Sequence, residues 1–389
     1  MRGPWAGVLA AGVLVAVGIG SPTPVRAVSV DRITQQEIRT LDARALDRYL
    51  NGLGQAHPSV PPPTLSGVVE ALLHHKNPIA LERLVAGAEQ AVLGDVLAEG
   101  RVLGILLLLT VLAAVVGRLG EAFAERAVAD LAQLVVTAAL VGVAAASFAI
   151  AVRAVTGMIG QLVALMEASI PAVVVLMASS GAVGSAGLFH PLLLSAVNLI
   201  AVVAQQWVLP LLLGAVTVEV LSAWMPRFPL SQLAGVLRQA GLFSLGGLLT
   251  LFLAVAALEN VAGKMADGLA LRTGKFLANA MIPVVGKMFS DAMDVVLRSS
   301  GLILAALGVV AGVAVMLTVL FPLVKVLVMM LFFRLGAAGA EPLAAVGVSR
   351  TLAVMANGLG YLAATGAAVA LMFFITLTVV VSAASGVAP

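Results

Sequence analysis

The chain contains no cysteine, which excludes disulfide bonds, thiol nucleophiles and cysteine-ligated metal centres. Charge is scarce as well. Asp, Glu, Lys and Arg make up 11% of 389 residues, against about a quarter in soluble domains. With 61% hydrophobic residues and a mean hydropathy of +1.11, the chain reads as an all-α polytopic membrane protein. The net charge of +3 is small, and no basic patch interleaves with aromatics, so nucleic acid is not an expected partner. Missing too are a G-x-x-x-x-G-K-[ST] phosphate loop, a G-x-S-x-G elbow and an H-E-x-x-H pair. His74, His75 and Glu70 form the one cluster that hints at a metal, but adjacent histidines diverge on a helix. No enzyme activity, cofactor or metal is expected. No internal repeat supports a transporter of duplicated halves.

What is present begins with an export signal. Residues 1–27 carry Arg2, an apolar run over 5–19, then Pro22 and Pro24 before Val25-Arg26-Ala27. Small residues at the last and third-last positions predict a signal peptide cleaved between Ala27 and Val28. The alternative is an uncleaved anchor helix, against which both prolines argue. Residues 28–100 then form a small extracytoplasmic helical segment. Leu41, Leu46, Tyr49, Leu50 and Leu53 share one helical face, with Asp42, Arg44 and Asp47 opposite. Pro58 to Pro63 make a stiff linker, and Thr64 caps the helix that follows. About 70 residues cannot build a large core, so this segment reads as a docking or packing element.

Residues 101–389 read as a multi-span membrane domain. Apolar runs place spans at 102–116, 131–152, 158–178, 188 to about 207, 242–258, 301–320, 323–340 and 358–381, about eight in all. The run 188–224 is too long for one straight span and offers no polar turn, so a helix broken near Pro210 is expected. Both mature ends then lie outside, and the loops holding Arg118, Arg126, Lys264, Arg272, Lys275, Lys287, Arg298, Arg334 and Arg350 lie inside. Arg153, Arg227 and Arg238 fall in outside loops, and Lys325 at a span end. Residues 226–241 read as a surface helix closed by Gly241.

Between two long apolar runs, residues 259–300 set five basic and four acidic side chains among apolar ones, the pattern of amphipathic helices at a membrane surface. Pro283 and Gly286 divide the stretch. Its run DGLALRTGKFLANAMIPVVGKMFSDAMD, with SSGAVGSAGLFHPLLL at 179–194 and FPLVKV at 321–326, resembles the stage III sporulation protein AE family of endospore-forming bacteria. That resemblance runs from about Leu103 to the last span. It implies a membrane component of the channel or secretion-like complex joining mother cell and forespore, placed in the mother-cell membrane around the forespore. Implied partners are the other membrane proteins of the stage III operon, a secretion-type ATPase and a forespore membrane protein. The implied role is support of late forespore gene expression.

Two sets of residues are candidates for function. Asp267, Arg272, Lys275, Phe276, Pro283, Gly286 and Asp291 match the family pattern and form a candidate partner-contact motif. The plainer account is a solvated loop obeying the positive-inside tendency, which explains the basic residues alone. Glu167, His190 and Glu219 are candidates for a pore or polar lining, since charge inside an apolar span usually faces a cavity or a partner. The plainer account is that both glutamates reach the membrane interface, and that His190 beside Pro191 caps a turn. A small-molecule permease, or the conducting subunit of a transport complex, is the alternative function.

Overall fold

The computed structural model describes residues 44–56, 62–74, 104–116, 126–179, 195–224, 230–281, 285–342 and 346–385, with Gly94, Gly100 and Arg101, and for 259–299 the backbone path. All of the regular structure among the described residues is helical, as the composition predicts. In chain order the helices are α1 (Arg44–Ala56), α2 (Leu65–Leu73), α3 (Gly104–Val116), α4 (Arg126–Ser179), α5 (Ser195–Ala223), α6 (Ser231–Met281), α7 (Val285–Ala340) and α8 (Val346–Ser385). Five of them contain stretches long and apolar enough to cross a membrane: Leu134–Ser179, Ser195–Ala223, Ser231–Leu258, Ser300–Ala340 and Gly347–Val379.

Helix count differs from the expected eight spans because two pairs of expected spans are each one continuous helix. Residues 131–152 and 158–178 both lie on α4, and 301–320 and 323–340 both lie on α7. The physical reason is packing. The expected loop at 153–157 holds buried Val155, and Met158 follows it at 1% exposure, so the backbone there sits against protein and keeps its helical hydrogen bonds. Pro171 and Pro322 lie inside α4 and α7 without ending them. The 46-residue apolar part of α4 is about 69 Å long, roughly twice a hydrocarbon core of about 30 Å. Arg153 is therefore part of a helix and not of a loop, and Lys325 lies within α7 and not at a span end.

The core is a bundle of α4, α5, α7 and α8, with the hairpin of α7 and α8 as its largest interface. Ser349 at the start of α8 donates to the carbonyl of Ala337 near the end of α7, at 2.9 Å. Gly358 marks a close approach of three helices: a Cβ there would lie 2.6 Å from Val216 Cγ2 of α5 and 2.9 Å from Phe148 Cε2 of α4. Only glycine permits that three-helix contact. α6 lies outside α5. It runs through Gly241, which does not close a surface helix but lets Leu212 of α5 come within 2.9 Å of where a Cβ would stand.

α1 and α2 pack onto this bundle and do not form a core of their own. Leu46, Leu50 and Leu53 of α1, and Leu65, Val68 and Val69 of α2, are buried in the same cluster as the spans. α1 packs on α4 and α7, and α2 on α7. Thr64 caps α2 through its Oγ1, which accepts from Gly67 N–H at 3.3 Å. Tyr49 reaches the middle of α7, its hydroxyl 2.9 Å from Thr318 Oγ1.

Candidate functional site

The expected break at Pro210 takes a milder form. α5 continues past it, and the six residues before the helix resumes, Val203–Val208, are π-helical. Proline has no N–H, so the carbonyl four residues earlier, on Gln206, loses its usual donor. The turn just before the proline is wider than an α-turn: Leu209 N–H bonds the carbonyl of Ala204, five residues back. Trp207 points outward, 60% exposed, and its Nε1 donates to Ser244 of α6 at 3.3 Å. The same logic applies at Pro171 and Pro322, which take the i+4 donor from the carbonyls of Glu167 and Thr318.

Glu219 of α5 is matched within the chain. Its Oε2 lies 3.6 Å from Arg238 Nη1 of α6, with the two side chains 29% and 36% exposed. At that distance and exposure the pair contributes on the order of 0.5–1 kcal/mol in water and more where lipid surrounds it. It fixes the register of α5 against α6, which Trp207 and Gly241 set at lower points of the same hairpin.

Glu167 is placed differently. It is exposed on α4, well inside the apolar stretch, and neither it nor Arg153 is ion-paired among the described residues. Insertion scales put a charge at mid-bilayer at about 2.5–3.5 kcal/mol, so a lipid-facing position is strongly disfavoured for whichever of the two the hydrocarbon core covers. Gln161 and Arg153 share its exposed side. Sequence reasoning singled out Glu167 and missed these two, although stepping back from it by three or four residues passes through Ala164, Gln161, Gly160, Gly157 and Arg153.

The charged stretch prolongs spans. α6 carries Asp267, Arg272, Lys275 and Phe276 on an uninterrupted continuation of its apolar part, and ends at Met281. α7 begins at Val285, carries Gly286 in its first turn and Asp291 in its second, and runs on into its own apolar part. Pro283 lies outside the described residues, as do His190 with nearly all of its 179–194 motif, and Ala27 and Val28. The backbone from Glu259 to Met281 would extend about 35 Å as a straight helix.

Among the described residues no group of acidic, histidine or cysteine side chains is arranged to hold a metal. His74 ends α2, its N–H bonding the carbonyl of Glu70, and His75 lies outside the described residues. A cavity of about 20 Å³ between α4, α5 and α8 is lined by Met166, Ile170, Val173, Val197 and Leu377 with Ser169 and Thr376. Both hydroxyls are spent on their own helices, bonding Leu165 and Met372 carbonyls. The cavity holds nothing larger than a water.

Long apolar helices, a glycine-tightened core and polar groups set within spans define an all-α polytopic membrane protein. The sequence model described as stage III sporulation protein AE matches residues 64–384. A relative of that description from Bacillus subtilis (strain 168) is 30% identical over 372 residues, covering 95% of this chain and 93% of its own. The chain belongs to the stage III sporulation protein AE family. No solved structure matches it.

Proposed function

We propose that the chain is a membrane component of the channel or secretion-like complex between mother cell and forespore, needed for endospore formation and late forespore gene expression. Family membership over nearly the whole multi-span region carries this proposal. The chain sits in the mother-cell membrane around the forespore, reached by way of a signal peptide cleaved after Ala27. Its role is assembly and not catalysis. Partners are the other stage III operon membrane proteins, a secretion-type ATPase and a forespore membrane protein. The contact motif Asp267, Arg272, Lys275, Phe276, Pro283, Gly286 and Asp291 meets one of them. The arm formed by 259–281 and 285–299 supports this, since helices that prolong spans can reach beyond the apolar band.

A second proposal is that the chain conducts: a small-molecule permease, or the conducting subunit of the complex. The exposed Glu167 favours it. Purifying the tagged full-length chain from sporulating cells after engulfment tests the first proposal. Recovery with other stage III operon proteins, lost on replacing Arg272 and Lys275 by Glu, is the expected result. A chain recovered alone under conditions that keep membrane complexes intact would contradict it.

A further inference from the structure

Between Arg153 and Glu167, α4 is built inside out for a helix that faces lipid, whereas beyond that segment it turns Leu134, Ile150 and Val175 outward. Its large side chains Met158, Ile159, Leu162 and Leu165 are buried in the bundle. The side turned away from the bundle presents Arg153, Gly157, Gly160, Gln161, Ala164 and Glu167, all exposed. At 3.6 residues per turn these positions fall within about a third of the helix circumference. The peripheral α6 does the reverse and turns Phe243, Leu251 and Leu258 outward, as lipid favours.

Several observations say that water, and not a dry helix or lipid, meets the α4 face. Arg153, Gln161 and Glu167 spread over 14 residues, about 21 Å, so a dry partner would have to supply matched groups at three heights. Pro171 lies on the same exposed side and takes the i+4 donor from the carbonyl of Glu167. Carboxylate and backbone acceptor thus coincide at one level of an apolar span, where hydrocarbon satisfies neither. A Cβ built at Gly157 or Gly160 meets nothing within 4 Å. A second copy in the same membrane runs parallel, so direct contact between two α4 faces would set Arg153 against Arg153 and Glu167 against Glu167. Such contact is repulsive unless water separates the two.

We propose that this face of α4 lines a water-filled path through the apolar part of the protein, open to water and small hydrophilic solutes, with Arg153 and Glu167 as its two charged stations. The far wall comes from other protein of the assembled complex, and for that wall the inference rests on the complex proposed above.

Absence of native cysteine makes the test direct. Single substitutions Gly157→Cys, Gly160→Cys and Ala164→Cys are made in the full-length chain, in membranes of the source organism. Each is reacted with a membrane-impermeant maleimide and compared with Phe243→Cys and Leu251→Cys on α6. The glycine sites take a cysteine without displacing a neighbour. The α4 positions are expected to react roughly ten-fold faster or more, because a thiol in apolar surroundings holds its proton and each pKa unit is ten-fold in thiolate. Ala164→Cys is expected to prefer a cationic over an anionic reagent, and Glu167→Gln to remove that preference. Rates as slow as those of Phe243→Cys mean that the face is dry, covered by lipid or by a packed helix, and overturn the proposal. A preference untouched by Glu167→Gln overturns the role of Glu167 as a station. Labelling reads the path and co-purification reads the complex, so either proposal can fail alone.

Discussion

The bond between Tyr49 and Thr318 predicts how firmly the N-terminal helices are held, and its two ends are not equivalent. Thr318 has one hydroxyl proton, and its Oγ1 lies 2.7 Å from the Ala314 carbonyl of its own helix. That proton is committed there, so Tyr49 is the donor across the 2.9 Å contact. Tyr49→Phe removes the donor and leaves a threonine whose proton is still bonded, at a cost of about 0.5–1.5 kcal/mol. Thr318→Val instead strands a phenol that burial has already moved out of water, at about 1–3 kcal/mol. The double variant replaces both ends with apolar groups and is expected to be closer to wild type than Thr318→Val alone. Trypsin cleavage at Arg48 reads the undocked fraction of α1 in membranes, each 1.4 kcal/mol being about ten-fold in rate when opening is fast. Tyr49→Phe should speed cleavage about 2- to 10-fold, Thr318→Val more, and the double variant less than Thr318→Val. Equal, wild-type rates in all three would refute the claim that this bond holds α1 to α7.

The same contact has a pH signature. Burial raises the Tyr49 hydroxyl above its ordinary pKa of 10.0. A raised folded-state pKa contributes stability that is complete below pH 10.0 and lost as pH rises through the folded value, so α1 should loosen only in alkali, and Tyr49→Phe should abolish that dependence. Leu46, 1% exposed, anchors the same helix: Leu46→Ala should cost about 2–5 kcal/mol and release α1 far more than Tyr49→Phe in the same cleavage assay. Gly358→Leu cannot fit between Val216 and Phe148, and should lower the melting temperature of the purified chain while Gly235→Leu, with open space around it, leaves it unchanged. Charge reversal at Glu219→Lys should destabilise the α5–α6 hairpin, and the exchange Glu219→Lys with Arg238→Glu should restore most of the loss, read by melting temperature.

How much of this was legible in the sequence depends on how local the cause is. Membrane class follows from composition, which is a sum over the chain. The Thr64 cap and the apolar face of α1 were legible because both are set within a turn or two: Leu46, Leu50 and Leu53 are the residues buried. What buries them was not, since α4 and α7 lie far away in sequence. Arg153 and Gly157 read locally as a loop, and Pro322 as a boundary. Packing on Val155, Met158 and Val326, all nearly or fully buried, carried the helices through both. Pro210 signalled an irregular backbone correctly, but the sequence could not choose between a break and a π-turn, because the neighbouring helices that support the turn are not encoded nearby. The Glu219–Arg238 pair depends on the register of a hairpin, 19 residues apart along the chain, and no local pattern announces it.

The central claim, that the chain serves endospore formation as a membrane component acting after engulfment, is tested most directly by deleting its gene in the source organism. The readout is a late forespore reporter followed cell by cell. The account predicts that engulfment and early forespore expression proceed, that the late reporter stays off, and that the full-length chain supplied from another locus restores it. Normal reporter activity and normal spores in the deletion strain would contradict it.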